Sequence, residues 1–472
     1  MSAPDALPAR RLAAVVLVGL VARLAFLGRD SFWHDESWTW GLIRGGPGLL
    51  FSQLRHQDAH PPLYFLLVQA WSVFGTSEAW LRLFSAILGT LSLPLLYRFT
   101  ARLGTPTAGL AATMLAAVAP LLLHYSAEAR SYALLNFLAL GSLNLLLDLR
   151  DRPDRRRWGA WAVATAAILY THYMGAFFIL SEAALLLAWR RARPGLLREA
   201  ALAAAGASLL FLPWLPVFID HASSIERGFW IPAPTPRTVL DALAGLVVHP
   251  WAIDGGLGYV RAALVYGLAV AAPFLLRRRE LGALLLLVVV PPLAELLVSL
   301  RRPVFYLQTF QYVLPSLLAL AGLALTRLPA RAAAMSAAAL ALFVLLPGAR
   351  RIYEYPVREN WRGAARVLDR AHRGEPIVVA PGYVGISLEY YGRGGAAWLD
   401  DLRLAESGDL LRQGRPTADL LSELSSVPAV WLVHRYDADE GWRGRLSAAG
   451  FSPEYAWTTR NGDVHVRRYV RR

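Results

Sequence analysis

PPLYFLLVQAWSVFG, residues 61–75, is largely apolar, and whether these fifteen residues cross a membrane decides the topology of the whole chain. A helical crossing takes about 20 mostly apolar residues. Longer runs lie at about 11–28, 80–97, 107–124, 131–149, 158–171, 173–189, 199–219, 259–276, 281–300, 308–325 and 332–347. These predict about eleven transmembrane helices. If 61–75 stays on one side, Arg10, Arg11, Arg98, Arg102, Arg327, Arg331 and the arginines within 150–157, 190–198 and 277–279 share one face. The positive-inside rule makes that face cytoplasmic, whereas a crossing at 61–75 moves most of them outside. The stretch is therefore read as a short juxtamembrane or partly inserted helix.

Composition agrees with a membrane protein. Of the 472 residues, 56% are hydrophobic, above the roughly 45–50% of soluble domains, and mean hydropathy is +0.39. The net charge of +14 comes without any lysine. Arginines that punctuate apolar runs serve topology, which argues against a nucleic-acid partner. No cysteine is present, so disulfides and thiolate metal sites are excluded. Residues 11–28 read as a retained signal anchor, because the AFLGRD around their end is no small-x-small cleavage site. Lysine-free, Ala-, Arg-, Leu- and Gly-rich usage suggests a GC-rich bacterial genome.

This topology places the N-terminus in the cytoplasm and four regions outside: 29–79, 124–132, 220–258 and everything after 346. The domain division expected is a transmembrane catalytic domain over 1–347 and a C-terminal extracytoplasmic α/β domain over 348–472. Arg82, Arg130, Arg301 and Arg302 then stand at outer helix ends, where topology gives them no reason to be. A single outward arginine can snorkel to headgroups, but several on one face form a wall suited to phosphate.

Next to them RDSFWHDESWTW, residues 29–40, sets the adjacent carboxylates Asp35 and Glu36 beside His34 and three tryptophans. HQDAHPPLYF, 56–65, adds Asp58 and His60. HYSAEARSY, 124–132, brings Glu128 with Arg130, and YTHY, 170–173, sets His172 in a break between two short apolar runs. Ionisable groups at a membrane face are expensive to desolvate and default to function. A carboxylate base, arginines and aromatics on one side suit transfer of a group from a lipid phosphate to a hydroxyl. In 220–258, Arg227, Phe229, Trp230 and the prolines of IPAPTP argue against regular structure and suit a mobile lid or a plain connector. Beyond 346, NWRGAARVLDRAHRG reads as an amphipathic helix, PIVVAP and AVWLVHR as strands, and YAWTTRNGDVHVRRYV as two strands joined at Asn461-Gly462. GRGG at 392–395 is too short a signal for a phosphate loop.

The DE pair, HPPLYF, EAWLRLFSAILGTLSLPLLYRF, HYSAEARSYALL, YTHY and FLPWLP, in this order, resemble the GT-C superfamily of polyprenyl-phosphate-sugar glycosyltransferases. The chain is most similar to bacterial relatives of protein O-mannosyltransferases and lipid A aminoarabinose transferases. The resemblance covers about 10–325 and extends weakly into the C-terminal part. It implies an outer cavity that takes a lipid-linked sugar donor, single-displacement inversion, Asp35 as general base and Glu36 as its partner. It places His60, Arg82, Glu128 and Arg130 around the donor phosphate. His34, Asp58, Tyr64, Tyr132, His172, Tyr173, Gln311 and Tyr312 line the cavity. One departure stands out: TFQYVLP has Gln311 where many relatives carry arginine. Either Arg301 or Arg302 supplies the charge, which is the reading favoured, or donor binding differs, or the chain is non-catalytic. Glu36, His60, Glu128 and His172 would make a divalent metal site if they converged, a question the spacing leaves open. A transporter or flippase of a lipid-linked intermediate, and a non-catalytic envelope scaffold, are the competing functions. The sugar and the acceptor, whether protein, lipid or polysaccharide, are not legible.

Overall fold

The computed structural model describes residues 3–25, 27–56, 58–226, 231–276, 279–354, 359–405, 415–436, 441–460 and 462–472. The chain is mostly helical and forms two compact units. One comprises Met1–Leu27, Ala59–Leu67 and Leu81–Tyr355; the other comprises Gly28–Asp58, Val68–Trp80 and Pro356–Arg472. Residues 28–58 and 68–80 thus group with the C-terminal chain.

In the first unit all eleven apolar runs fall largely on helical backbone. Among the described residues, five helices are long and apolar enough to cross a membrane: Glu78–Leu103, Tyr132–Asp151, Leu196–Ser223, Gly256–Leu275 and Ala330–Glu354. Pro106–Val118 and Pro120–Ser126, bent by 61°, make a sixth if counted as one span. Leu63–Ser72, within the stretch that decides topology, has only 10 residues. At 1.5 Å per residue it reaches about 15 Å, half the hydrocarbon thickness. At the centre lies Leu314–Leu325, buried on every face, as a helix without a polar stripe must be.

The bend has a definite cause. Pro120 has no N–H to give to the preceding turn and its ring pushes Ala119 out of the helical region, to φ −62° and ψ 121°. Carbonyls of the broken turn are taken up by Arg23, which is 1% exposed. Its Nη1 donates to Ala117 O (3.1 Å) and Gly19 O (3.0 Å), its Nη2 to Ala116 O (3.4 Å) and its Nε to Ser126 Oγ (3.1 Å). Gly89 makes room for this clasp: a Cβ there would collide with Ser126 Oγ.

The second unit carries a five-stranded sheet: β1 (Ile377–Ala380), β2 (Leu402–Leu404), β3 (Ala429–Arg435), β4 (Phe451–Thr458) and β5 (Val464–Arg471). The order is β2-β1-β3-β5-β4. β1 pairs in parallel with β2 and β3, while β5 runs antiparallel to β3 and β4. Central β3 packs Trp431 and Val433 with Trp361, Leu368, Leu388 and Trp398 on one face. Val430 and Leu432 pack with Leu420, Trp442 and Leu446 on the other. The expected helix and strands are present; β2 and the helices Gly385–Gly392, Thr417–Leu424 and Trp442–Ala448 are additions. Asn461 lies outside the described residues.

The passage around Asp35 and Glu36 is a helix, His34–Ile43, followed by Pro47–His56. One sequence reading is corrected. The segment 220–258 is not irregular: it contains Pro236–Val248, begun by a capping box in which Thr235 Oγ1 accepts from Thr238 N (3.2 Å) and Thr238 Oγ1 from Thr235 N (2.8 Å). Its prolines lead into the helix, with Pro236 in the first turn where no N–H is needed. Arg227, Phe229 and Trp230 lie outside the described residues.

Arg23→Met removes the clasp and strands its carbonyl partners in an apolar bundle. The expected loss is about 1–3 kcal/mol, read as a lower midpoint of tryptophan-monitored melting in detergent. An unchanged midpoint would mean the carbonyls find other partners.

Candidate active site

His34–Ile43 carries Asp35 and Glu36 in its first turn, and its Trp33 cap residue offers no side-chain bond. The missing cap comes from far along the chain. His34 N donates to Glu359 Oε2 at 3.1 Å, and Trp361 Nε1 donates to the same oxygen at 2.6 Å. Arg435 Nη2 pairs with Glu359 Oε1 at 2.6 Å. Of the ten helix residues, all but Asp35 are buried. Asp35 is partly open and lies within electrostatic reach of Glu359 and Arg435. Glu36 is fully buried. Asp58 accepts the Trp38 Nε1–H bond at 2.6 Å, which ties the end of this stretch back to the helix. His34 sets its ring 4.9 Å from that of Tyr383. All of these residues belong to the second unit.

Burial is the main influence on the Glu359 carboxyl and raises its pKa, opposed first by the Arg435 charge. Burial also works against the Arg435 charge, but Glu359, then Tyr436 and Asp35, outweigh it and raise the guanidinium's pKa.

The remaining expected site residues belong to the first unit. Arg130, 4% exposed, donates from Nη2 to His60 Nε2 at 3.1 Å. The His60 ring lies 5.7 Å from that of His172, which lies 6.1 Å from that of Tyr132. His172 stands in the turn between Arg155–Thr171 and Gly175–Ala188, where its Nδ1 accepts from Met174 N at 3.2 Å. Burial, with His60 and Arg130 adding, pushes it down to about 3. It is neutral at ordinary pH, and a donor at Nε2.

Tyr64 OH meets Ser85 Oγ at 3.3 Å, and that hydroxyl donates to Arg130 O at 3.4 Å. Arg82 is buried and donates to Leu27 O at 2.7 Å. Glu128 lies 3.8 Å from His124. Tyr173 OH is held between Trp214 Nε1 and His221 Nδ1, both at 2.9 Å. Tyr312 OH donates to Met174 O at 3.0 Å. Arg301 and Arg302, just past the helix Leu286–Ser299, are exposed.

Gln311 has a structural position: fully buried, it accepts a hydrogen bond from Asn136 Nδ2 and donates to Tyr132 O at 3.2 Å. Of the residues that sequence offered as metal ligands, His60 Nε2 faces a guanidinium and His172 Nδ1 accepts a backbone amide. Among the described residues no group of three His, Asp or Glu could hold a metal ion.

Sequence reasoning missed Glu359, Arg435, Asn136 and a His124–His249–Trp251 cluster, whose two imidazoles lie 5.1 Å apart. Asn136 was visible as one of two amides, with Asn144, in an apolar run. Glu359 carried no local signal, since its partners His34 and Arg435 are remote in sequence. Gln311→Leu leaves the Asn136 amide and the Tyr132 carbonyl without this partner, and is expected to cost about 1–3 kcal/mol in detergent melting; no loss would show the amide to be dispensable for packing.

Comparison with known proteins follows the same lines. Residues 59–218, which hold His60, Arg82, Glu128, Arg130, His172 and Tyr173, match the family model for dolichyl-phosphate-mannose-protein mannosyltransferase. No curated protein sequence matches. The fold is shared with the apo crystal structure of ArnT from Cupriavidus metallidurans, at a TM-score of 0.68 and 14% identity over 99% of this chain and 98% of that one. ArnT bound to undecaprenyl phosphate gives a TM-score of 0.64 at 15% identity, with the same coverage of 99% and 98%. The archaeal oligosaccharyltransferase AglB from Archaeoglobus fulgidus, in complex with an inhibitory peptide and a dolichol-phosphate, gives 0.58 at 14% identity over 99% of this chain and 74% of that one. His60 and Arg130 thus fall inside a segment that matches this family model, within a fold shared along nearly the whole chain with ArnT.

Proposed function

We propose that the protein is a membrane glycosyltransferase. It moves a sugar from a polyprenyl-phosphate donor to an acceptor hydroxyl on the outer face of the cytoplasmic membrane, with about eleven transmembrane helices and the C-terminal domain outside. The observation that carries the reading is the bond between Arg130 and His60 within the family-matched segment. A buried guanidinium beside imidazoles offers a phosphate charge-assisted hydrogen bonds in a low-dielectric setting, where they are strongest. That ArnT has been crystallised with undecaprenyl phosphate supports a lipid phosphate as donor.

In this reading the partly open Asp35 takes the acceptor's proton as the hydroxyl attacks the anomeric carbon from the side opposite the phosphate, and the sugar is inverted. Buried Glu36 keeps the helix turn in place. Arg130 with His60, joined by Arg82, Glu128 and exposed Arg301 or Arg302, binds and stabilises the departing phosphate. Neutral His172 serves as a hydrogen-bond donor and not as a proton carrier. Tyr64, Tyr132, Tyr173, Gln311 and Tyr312 shape the donor side, while His34 and Asp58 brace the helix of the base.

The test is binding of a short-chain polyprenyl phosphate to the detergent-purified protein, against the matching neutral alcohol. Phosphate-dependent binding is expected, weakened at least about tenfold in Arg130→Gln, the equivalent of one charge-assisted hydrogen bond. Asp35→Asn should abolish sugar transfer and leave lipid binding intact. Equal binding of phosphate and alcohol, or transfer retained by Asp35→Asn, overturns the corresponding assignment.

A further inference from the structure

Glu359 stands just before Asn360, the cap of the helix Trp361–Ala371, with 2% of its side chain exposed. Four donors converge on its carboxylate: His34 N, Trp361 Nε1, Arg435 and Tyr436 OH, the last at 3.4 Å. Its backbone oxygen accepts from Ser31 Oγ, which in turn accepts from Trp361 N at 3.1 Å. One residue thus holds both the approach to His34–Ile43 and that helix's first amide.

We propose that Glu359 is a positioning residue for Asp35: from the C-terminal chain it fixes the first turn of the helix that bears the base, with the Arg435 guanidinium holding its carboxylate in place. The proposal rests on the reading of Asp35 as base.

Asp35 lies in the first turn of that helix, next to the amide that Glu359 holds, and Arg435 fixes the other oxygen of the same carboxylate at 2.6 Å. A loosened first turn misplaces the base and lowers the rate of transfer, while uniform donor binding is unaffected.

The experiment measures kcat and donor KM of sugar transfer from a panel of short-chain polyprenyl-phosphate hexoses and pentoses by the full-length protein. In Glu359→Gln and in Arg435→Gln kcat should fall at least about tenfold while donor KM stays near the wild-type value, and Glu359→Asp should recover part of the loss. An unchanged kcat, or a rise in KM with kcat intact, overturns the positioning role.

Hydrogen exchange of residues 34–43 in the intact protein gives a readout that needs no activity. In Glu359→Gln an amide offers one oxygen to donors that the carboxylate serves with two, so exchange of the first turn should quicken about tenfold. Unchanged exchange overturns the positioning role. If the wild type transfers sugar from no donor, the assignment of the base fails, and exchange alone decides whether Glu359 holds the helix.

Discussion

Arg23 delivers a fork of N–H donors into a helical bundle, and the bundle is broken where those donors are needed. In an apolar setting a proline that interrupts a helix leaves carbonyls that no water can reach. The side chain of another helix must then satisfy them. The same constraint governs the other polar groups of this unit. Ser142 donates to Glu182 and Thr309 to Glu295, both at 2.7 Å, and Asn136 donates to Gln311. Each such pair fixes a local register. The positions of His60, Arg130 and His172 depend on it, because a helix turned by one residue would present different side chains to the same space.

The second unit works differently. Its sheet buries apolar residues on both faces and is a conventional core. Attached to it is a ten-residue helix buried nearly all round. Such a helix is short for independent stability. It is held by specific polar ties: Arg362 to the carbonyls of Gly28 and Arg29, both at 3.2 Å, Phe32 N to Tyr391 OH at 2.7 Å, and Arg44 to Glu389 at 2.8 Å. The partly open carboxylate of Asp35 thus sits on a support made of directed bonds.

Much of the helical framework was legible in the sequence because apolar runs long enough to cross and arginines between them are dictated by the bilayer itself. The strand β3 was legible because a run as apolar and β-branched as AVWLVHR suits a central strand. His34–Ile43 was not, since WHDESWTW has no helical stripe; its burial comes from residues more than 300 positions away. The helix Pro236–Val248 was missed for the opposite reason: its prolines were weighed as breakers when they are starters. Among the site residues, His60, Arg130 and His172 carried chemistry on their faces and the structure brings them together. That Gln311 is locked into an amide chain depends on Asn136 and Tyr132, which composition could not couple to it.

The bond from His34 to Glu359 spans 325 positions of sequence. A ribosome adding about 5–20 residues per second needs tens of seconds to cover that distance. Throughout that interval the segment bearing Asp35 is made but lacks both its cap and the aromatic shell it packs against. The helix His34–Ile43 is therefore made long before the residue that caps it. A chain halted or clipped before Glu359 would leave that helix without its cap.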